Sequence, residues 1–290
     1  MTSDSVRTIR TPAVRRAVVL LVHSNLFVAV GATSVAVTAS VLCGYPLDPV
    51  PLAIVFAATL FVYSSNRLTD LAEDERNVPE RAAFTRRYGR PLAAVALSCY
   101  LAVIGFAVAR DLPKAQFLLL PAVVVGLYSL GRLKRLLLVK NLLVGVSWGI
   151  VPLGVGVYFG DLRPSLLAVA GYVTVMLTTA AAVFDVKDLR GDRAEGIRTL
   201  PVCFGPGTTR TVAQVVNLTA GVAVIGLVAS GVLARSFLVL LAFNAYVGAY
   251  VPLATPDRGP LFYGFVIDGE HAVLAALVLA LDALGWLGGG

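Results

Sequence analysis

Charged residues are scarce in this chain of 290 residues. Asp, Glu, Lys and Arg together make up 14% of it, whereas 58% of the residues are hydrophobic and the mean hydropathy is +0.83. A water-soluble domain covers its surface with charge, and about a quarter of its residues are charged. The shortage of charge therefore excludes an ordinary soluble fold and predicts a polytopic membrane protein.

Cysteine and histidine are also rare, and the few that are present are scattered. Cys43, Cys99 and Cys203 form no CxxC pair, which excludes a disulfide framework and a zinc site. His23 and His271 are too few to form a metal cluster. The net charge of +7 does not indicate a nucleic-acid partner, because the basic residues cluster beside apolar runs with few aromatic residues among them.

Long apolar runs, in contrast, are frequent. Nine of them are long enough to cross a bilayer as helices. Helix is the expected conformation, because these runs are too long and too uniformly apolar for the alternating strands of a membrane barrel. The sequence predicts an all-α polytopic membrane protein, treated as one domain over residues 1–290. The nine segments are 17–43, 48–66, 91–109, 114–131, 139–159, 164–185, 209–231, 235–254 and 264–287.

Basic residues are distributed unevenly between the two ends of these segments. With the N-terminus inside, most of the 24 Lys and Arg residues fall in the N-terminal tail and three long inner loops. The positive-inside rule therefore predicts a cytoplasmic N-terminus and cytoplasmic polar loops. Polar loops on a single side are typical of an enzyme or a binding site that opens to that side. The residues assigned to the outer side are Arg110, Lys114, Arg163, Arg235 and Arg258.

Two acidic stripes follow the second and the sixth predicted spans, both on the cytoplasmic side. The spacing is i, i+4, i+8 in the first stripe and i, i+3, i+7 in the second, so each stripe occupies one face of a helix. An ordinary solvated helix end is the alternative for either stripe taken alone. The stripes consist of Asn66, Asp70 and Asp74, and of Asp185, Asp188 and Asp192.

Paired carboxylate stripes suit the chemistry of a diphosphate. Mg²⁺ prefers oxygen ligands and usually shares its coordination with substrate phosphates. Stripes that face each other can hold Mg²⁺ around one diphosphate and stabilise it as it leaves. Basic residues of the same loops are candidates to bind its remaining oxygens. These candidates are Lys134, Lys140, Lys187 and Arg198.

The motif pair N66-RLT-D70-LAE-D74 and D185-VK-D188-LRG-D192 resembles the UbiA superfamily of intramembrane prenyltransferases. The resemblance covers essentially the whole chain. It implies about nine transmembrane helices around a central cavity with a cytoplasmic cap of loops. It also implies a Mg²⁺-dependent enzyme in which the six stripe residues are catalytic and bind the metal.

The same resemblance extends to the region between the fourth and fifth spans. The segment YSLGRLKRLLLVKNLLVG, residues 128–145, is similar to a stretch of the family in which a Tyr and basic residues approach the substrate. RTLPVCFG, residues 198–205, is similar to the continuation after the second motif. The substrate-binding residues implied here are Tyr128, Lys134, Lys140 and Asn141.

Two further residues are predicted to touch the substrate. Many family members have Asp directly after the motif Asn, but this chain has Arg67, which removes one possible metal ligand and adds a cation. That cation either binds the diphosphate directly or marks a branch of the family with different chemistry, and the number of bound metals is left open. Asn25, a polar residue within the first span, either faces the cavity or makes a helix–helix hydrogen bond.

The predicted activity, which the resemblance implies, is transfer of an isoprenyl group from its diphosphate to an aromatic or other lipophilic acceptor. The alternative is a terpene cyclase of the same superfamily, which needs the same diphosphate site. Asp268, Glu270 and His271 are assigned to the outer end of the last span, and no His or Glu is expected deep in the cavity. That absence favours a cyclase or an acceptor that needs little acid–base help. A transporter is less favoured, because the middles of the spans carry almost no charge.

Overall fold

The computed structural model describes residues 13–129, 136–259 and 261–287. Helices dominate these residues, and no strand occurs among them. The helices are α1 Ala13–His23, α2 Leu26–Leu42, α3 Pro49–Thr69, α4 Leu71–Asn77, α5 Pro79–Ala109, α6 Leu120–Ser129, α7 Val139–Phe159, α8 Pro164–Ala194, α9 Leu200–Ala229, α10 Leu240–Tyr250 and α11 Glu270–Ala283. Short 3₁₀ turns precede α6 and α10, and a π-helical segment, Phe262–Ile267, leads into α11.

The described residues contain seven helices that are long and apolar enough to cross a membrane, or eight if α1 and α2 count as one bent span. The chain is therefore an integral, multi-pass membrane protein. The prediction had nine spans, and the difference lies at 114–131. There the apolar helix found among the described residues is Ala115–Gly126, and residues 130 and 131 lie outside the described part of the chain, so this ninth span stays a prediction.

The first span is broken between α1 and α2. The two helices are bent by 72° relative to each other. Asn25 lies at the break with a left-handed backbone, φ 62°, a conformation that Asn tolerates better than most residues. The break places the Asn25 side chain beside α3, where its amide is hydrogen-bonded to Ser64.

Between α3 and α5 the chain forms a short cap. α3 gives way to α4 at Asp70, but helical hydrogen bonds continue across the junction, from Asp70 N to Asn66 O and from Asp74 N to Asp70 O, both 2.9 Å. α4 ends before Pro79, because a residue that precedes proline is disfavoured in helical conformation. An ion pair of 3.0 Å between Arg76 and Glu195 connects this cap to the end of α8.

Close packing of α7 on α8 depends on two glycines. An added Cβ at Gly145 would lie 2.0 Å from the Thr178 hydroxyl, and one at Gly149 would lie 1.9 Å from the Thr174 hydroxyl. Both hydroxyls donate to carbonyls of the preceding turn of α8. Small residues thus bring the two backbones together, as is usual between membrane helices. This contact fixes the second acidic stripe, on α8, next to the start of α7.

The connection after α10 lies at the same end of the molecule as the acidic stripes. Arg210 donates to the Ala254 carbonyl at 3.0 Å, and Arg190, next to the second stripe, lies 3.9 Å from Asp257. The assignment of Arg258 to the opposite end was therefore wrong. The error was one of counting within the nine-span prediction, in which eight segments precede Arg258 and an even number of crossings returns the chain to the side where it began.

Candidate active site

A polar cavity of about 210 Å³ lies between α3, α7, α8 and the start of α11. Both acidic stripes contribute to its wall, and so do cationic side chains from four helices. This cavity is therefore the place where the two sequence motifs meet. Its charged lining residues are Asp70, Asp74, Asp185, Asp188, Asp268, Glu270, Arg67, Arg81, Lys140 and Lys187.

The first stripe is neutralised by two arginines. Asp74 is buried, with 3% of its surface exposed. Arg81 forms a two-pronged ion pair with it, with 2.9 Å between Arg81 Nε and Asp74 Oδ2, and Arg67 lies 3.8 Å away. Sequence reasoning missed Arg81 as a site residue. It belongs to the same inner loop, but only the turn at Pro79 brings it back to Asp74.

Arg67 is held in place by the broken first span. Its Nε donates to Asn25 Oδ1 at 3.3 Å, and the Asn25 amide group in turn lies 3.4 Å from Ser64 Oγ. The structure thus shows the helix–helix hydrogen bond that was one of the two alternatives for Asn25. Contact of Asn25 with a substrate stays a prediction. Arg67 lies in the cavity wall, where its charge is available to an anionic ligand.

The second stripe is held by residues at the start of α7. Lys140 Nζ lies 2.8 Å from Asp185 Oδ1 and 3.7 Å from Asp192 Oδ2. Asn141 donates to the other Asp185 oxygen at 3.0 Å. Both sequence-predicted partners, Lys140 and Asn141, therefore line the cavity beside Asp185. Asp192 is buried but is not among the lining residues.

Lys187 and Asp188 also belong to the charged part of the wall. Lys187 Nζ lies 2.5 Å from Asp188 Oδ2 and 5.4 Å from the ring centre of Phe184, which also lines the cavity. An ammonium group over an aromatic face gains a cation–π attraction. Lys187 is thus positioned between an anion and an aromatic wall.

The remaining predicted residues lie elsewhere or are not described. Asn66 does not line the cavity, and its buried Oδ1 has no hydrogen-bond partner among the described residues. Arg198 is exposed and is not part of the wall. Lys134 and the side chain of Tyr128 lie outside the described residues. The roles of these four residues stay predictions.

The donor set of the cavity fits a metal that is shared with an anion. In the part of the chain that the structure describes, no three His, Cys, Asp or Glu residues are grouped closely enough to hold a metal ion by themselves. Carboxylates from both stripes nevertheless face one cavity, and cations line the space between them. Mg²⁺ seldom occupies an all-protein cage and usually completes its shell with substrate phosphate and water.

Three residues at the start of the last span also line this cavity, contrary to the prediction. Asp268, Glu270 and His271 were assigned to the outer end, too far from the motifs, and no His or Glu was expected in the cavity. Both expectations were wrong, because the last span begins at the motif end. Ionisable residues inside an apolar span were the available signal in the sequence.

A second, apolar cavity of about 250 Å³ adjoins the polar one. Tyr63 and Trp148 line both cavities, and Trp148 Nε1 donates to the Tyr63 hydroxyl at 3.3 Å. The rest of the apolar wall comes mainly from α3, α6 and α7, and it continues to Leu112 and Lys114 beyond the far end of α5. The hydrogen-bonded pair Tyr63–Trp148 therefore separates the polar cavity, called the charged chamber below, from the apolar cavity, called the apolar chamber.

Fold and cavity together define the class: a helical membrane protein with a carboxylate-lined site at one end. The model of the UbiA prenyltransferase family matches residues 28–266, and the chain belongs to that family. It is also similar to the digeranylgeranylglyceryl phosphate synthase of Methanothermobacter thermautotrophicus, with 33% identity over 159 residues, 52% of this chain and 54% of the relative. The synthase of the same name from Sulfolobus acidocaldarius is 27% identical over 59% of this chain and 62% of the relative. The chain thus spans little more than half the length of these relatives.

Solved structures of the family share the fold. A UbiA homolog from Archaeoglobus fulgidus bound to GPP and Mg²⁺ superposes with a TM-score of 0.65, 14% identity and coverage of 91% of this chain and 99% of that one. The apo structure of a UbiA homolog from Aeropyrum pernix K1 gives a TM-score of 0.64, 18% identity and coverage of 88% and 98%. At these identities the likeness establishes the fold alone.

Proposed function

We propose that the chain is a Mg²⁺-dependent prenyltransferase that binds an isoprenyl diphosphate in the polar cavity and transfers its prenyl group to a lipophilic acceptor. One observation carries the proposal: carboxylates from α3–α4 and from α8 face the same cavity, and an apolar chamber begins directly behind it. An isoprenyl diphosphate needs a charged site for its diphosphate and an adjacent apolar site for its hydrocarbon chain.

The comparisons support this assignment. Two related structures are described as bound to GPP and Mg²⁺ and to DMAPP and Mg²⁺. The relatives are named for a product in which two geranylgeranyl groups are carried by glyceryl phosphate. Of the aromatic and other lipophilic acceptors predicted from the sequence, that name favours a glycerol-based lipid over an aromatic compound.

Asp70, Asp185 and Asp188 are the lining carboxylates that would hold the metal. Bound Mg²⁺ supplies positive charge that neutralises the diphosphate as it departs. Lys140 and Lys187 lie in the same wall and bind oxygens that the metal leaves free. Because these cations are already in place, little reorganisation is needed when negative charge develops on the leaving group.

The aromatic wall protects the isoprenyl carbocation that remains when the diphosphate departs. Tyr63, Trp148 and Phe184 line the cavity beside the charged residues. Their faces stabilise a carbocation, and their bulk keeps water from it. The apolar chamber behind Tyr63 and Trp148 holds the isoprenyl tail, which is as apolar as lipid. The site opens to the cytoplasm in this proposal, since both acidic stripes belong to the side to which the distribution of Lys and Arg assigns the inner loops.

Binding tests the proposal before any acceptor is known. The full chain is placed in nanodiscs, and geranylgeranyl diphosphate is titrated with Mg²⁺ and with EDTA. We expect binding only with Mg²⁺, and a loss of at least tenfold in Asp70→Asn and Asp188→Asn. Asp282→Asn, an exposed carboxylate near the far end of α11, is the matched control. Binding that is indifferent to Mg²⁺ and to both variants contradicts the proposal.

Product analysis then separates transfer from cyclisation. The chain is incubated with geranylgeranyl diphosphate and Mg²⁺, with and without geranylgeranylglyceryl phosphate. We expect a doubly prenylated lipid that forms only when the acceptor is present. A cyclic terpene that forms without acceptor, and that Asp70→Asn abolishes, identifies a cyclase instead.

A further inference from the structure

The start of α11 brings a polar corner into the cavity that the carboxylate stripes do not explain. This corner consists of Tyr250, Glu270 and His271. Glu270 is 3% exposed and His271 is 2% exposed, and both line the cavity. The Tyr250 hydroxyl donates to Glu270 Oε2 at 2.7 Å. One carboxylate oxygen is therefore occupied, and Oε1 is left for another partner.

The polar corner is incomplete by itself. His271 Nε2 has no hydrogen-bond partner among the described residues, and it lies 3.8 Å from Glu270 Oε1, beyond hydrogen-bond distance. The rings of Phe243 and Trp148 flank the imidazole, with centroids 4.8 and 5.7 Å away. Buried ionisable groups without full hydrogen bonding are costly, above all inside a membrane span. Such an arrangement indicates that a ligand completes it.

The polar corner is distinct from the diphosphate site in its partners. The four cations that line the cavity among the described residues lie with the stripes: Arg67 and Arg81 contact Asp74, Lys140 contacts Asp185, and Lys187 contacts Asp188. The contacts described for Glu270, in contrast, are with Tyr250 and His271. A carboxylate that faces a substrate cavity without a cation beside it is suited to accept a proton rather than to bind phosphate.

Resting on the proposed function, we propose that Glu270 is the catalytic base that accepts the proton of a hydroxyl group on the acceptor. The bond between C1 of the isoprenyl chain and the diphosphate oxygen breaks, and the diphosphate keeps the electron pair. The acceptor oxygen forms a new bond to C1, and its proton passes to Glu270 Oε1. Tyr250 and His271 are positioning residues that hold the carboxylate and its proton.

This assignment also defines the acceptor class. Attack by an alcohol oxygen produces an ether, and the oxygen must lose its proton during or after bond formation. Because the cavity excludes water from the carbocation, this proton passes either to the departing diphosphate or to a side chain, and the inference assigns it to Glu270. The acceptor is accordingly a lipid alcohol whose hydroxyl group reaches the polar corner while its apolar part remains in the membrane.

Glu270→Gln tests the inference in the full chain in nanodiscs. The substitution keeps the shape and an oxygen for the Tyr250 hydrogen bond but cannot accept the proton. With geranylgeranyl diphosphate, Mg²⁺ and geranylgeranylglyceryl phosphate, we expect transfer to fall by about 10²- to 10⁴-fold. The affinity for geranylgeranyl diphosphate with Mg²⁺, measured without acceptor, is expected to stay within about twofold of wild type, since Glu270 lies outside the diphosphate partners.

Two further variants make the test specific. Glu195→Gln, the partner of Arg76 outside the cavity, is the matched carboxylate control and should transfer normally. Tyr250→Phe leaves the carboxylate but removes its hydrogen bond. A hydrogen bond to a charged group contributes about 1.5 kcal/mol, so we expect transfer to fall about tenfold. If Glu270→Gln does not fold, normal transfer by Tyr250→Phe overturns the inference.

The other outcomes are also decisive. Normal transfer by Glu270→Gln, or an equal loss of transfer and of diphosphate affinity, overturns the role as a base. Prenylation of a carbon atom instead of the hydroxyl oxygen overturns the acceptor class. A wild-type chain that binds no isoprenyl diphosphate with Mg²⁺ contradicts the proposed function itself, whereas normal binding with transfer independent of Glu270 contradicts only this inference.

Discussion

The Nζ atom of Lys140 lies 2.8 Å from Oδ1 of Asp185, in the wall of the polar cavity. The side chain of Asp185 is only 7% exposed and that of Lys140 is 19% exposed, so this ion pair is largely removed from water. The contact joins the start of α7 to the second acidic stripe. It therefore contributes both to the charge of the site and to the packing of two neighbouring helices.

Removal of only one partner should destabilise the protein. Lys140→Met leaves the Asp185 carboxylate buried without its cation, and the expected cost is about 3 kcal/mol. The double variant Lys140→Met with Asp185→Asn has no buried charge at this position and should regain much of that loss. Thermal unfolding in detergent measures both, and simple additivity of the two single variants would contradict the prediction.

Arg67 should contribute to diphosphate affinity. A hydrogen bond to a charged group contributes about 1.5–3 kcal/mol, so Arg67→Ala is expected to weaken the binding of geranylgeranyl diphosphate by tenfold or more. Arg76→Ala, which removes a cation of the same loop that pairs with Glu195, is the control. Titration calorimetry with Mg²⁺ present compares them, and equal affinities would exclude Arg67 from the site.

The wall between the two cavities should influence which isoprenyl chain is used. Trp148→Ala removes the indole that separates the charged chamber from the apolar one, and we expect transfer to shift toward longer chains by at least threefold. Trp286→Ala is the control, because this tryptophan is 76% exposed. Relative rates with C10, C15 and C20 diphosphates measure the shift, and unchanged ratios would show that the wall has no such role.

Two glycines of α7 should differ sharply in their tolerance of alanine. Gly149→Ala places a methyl group against Thr174, and overpacking of this kind costs about 1–3 kcal/mol. Gly154, on the same helix, has no atom within 4 Å of an added Cβ, so Gly154→Ala should be neutral or slightly stabilising. The two melting temperatures check this, and equal values would contradict the close packing of α7 on α8.

The sequence was informative where a pattern is local. Hydropathy identified the spans, because a helix in lipid must be apolar along a fixed length, and helical spacing placed Asp70 and Asp188 on faces that line one cavity. The side of the membrane on which each polar residue lies was harder to assign. Glu270 and Arg258 were placed on the wrong side, although eight predicted spans precede them and an even number of crossings implies the side of the N-terminus.

Other features depend on contacts that no local pattern contains. Arg81 reaches Asp74 only because the chain turns at Pro79. The Tyr63–Trp148 pair joins residues 85 positions apart in the sequence. Asn66 follows the spacing of the first stripe yet is not among the residues that line the cavity. Residue spacing predicted which carboxylates share a face, but not which neighbours complete the site.

The division of the site into a charged chamber and an apolar chamber has a consequence for the release of the two products. In the proposed reaction the diphosphate and the prenylated lipid differ in solubility, so we expect the former to leave the charged chamber toward water and the latter to leave the apolar chamber into the bilayer. Release of one product is then governed by ionic strength and release of the other by membrane composition. Turnover in vesicles should accordingly respond to these two variables independently.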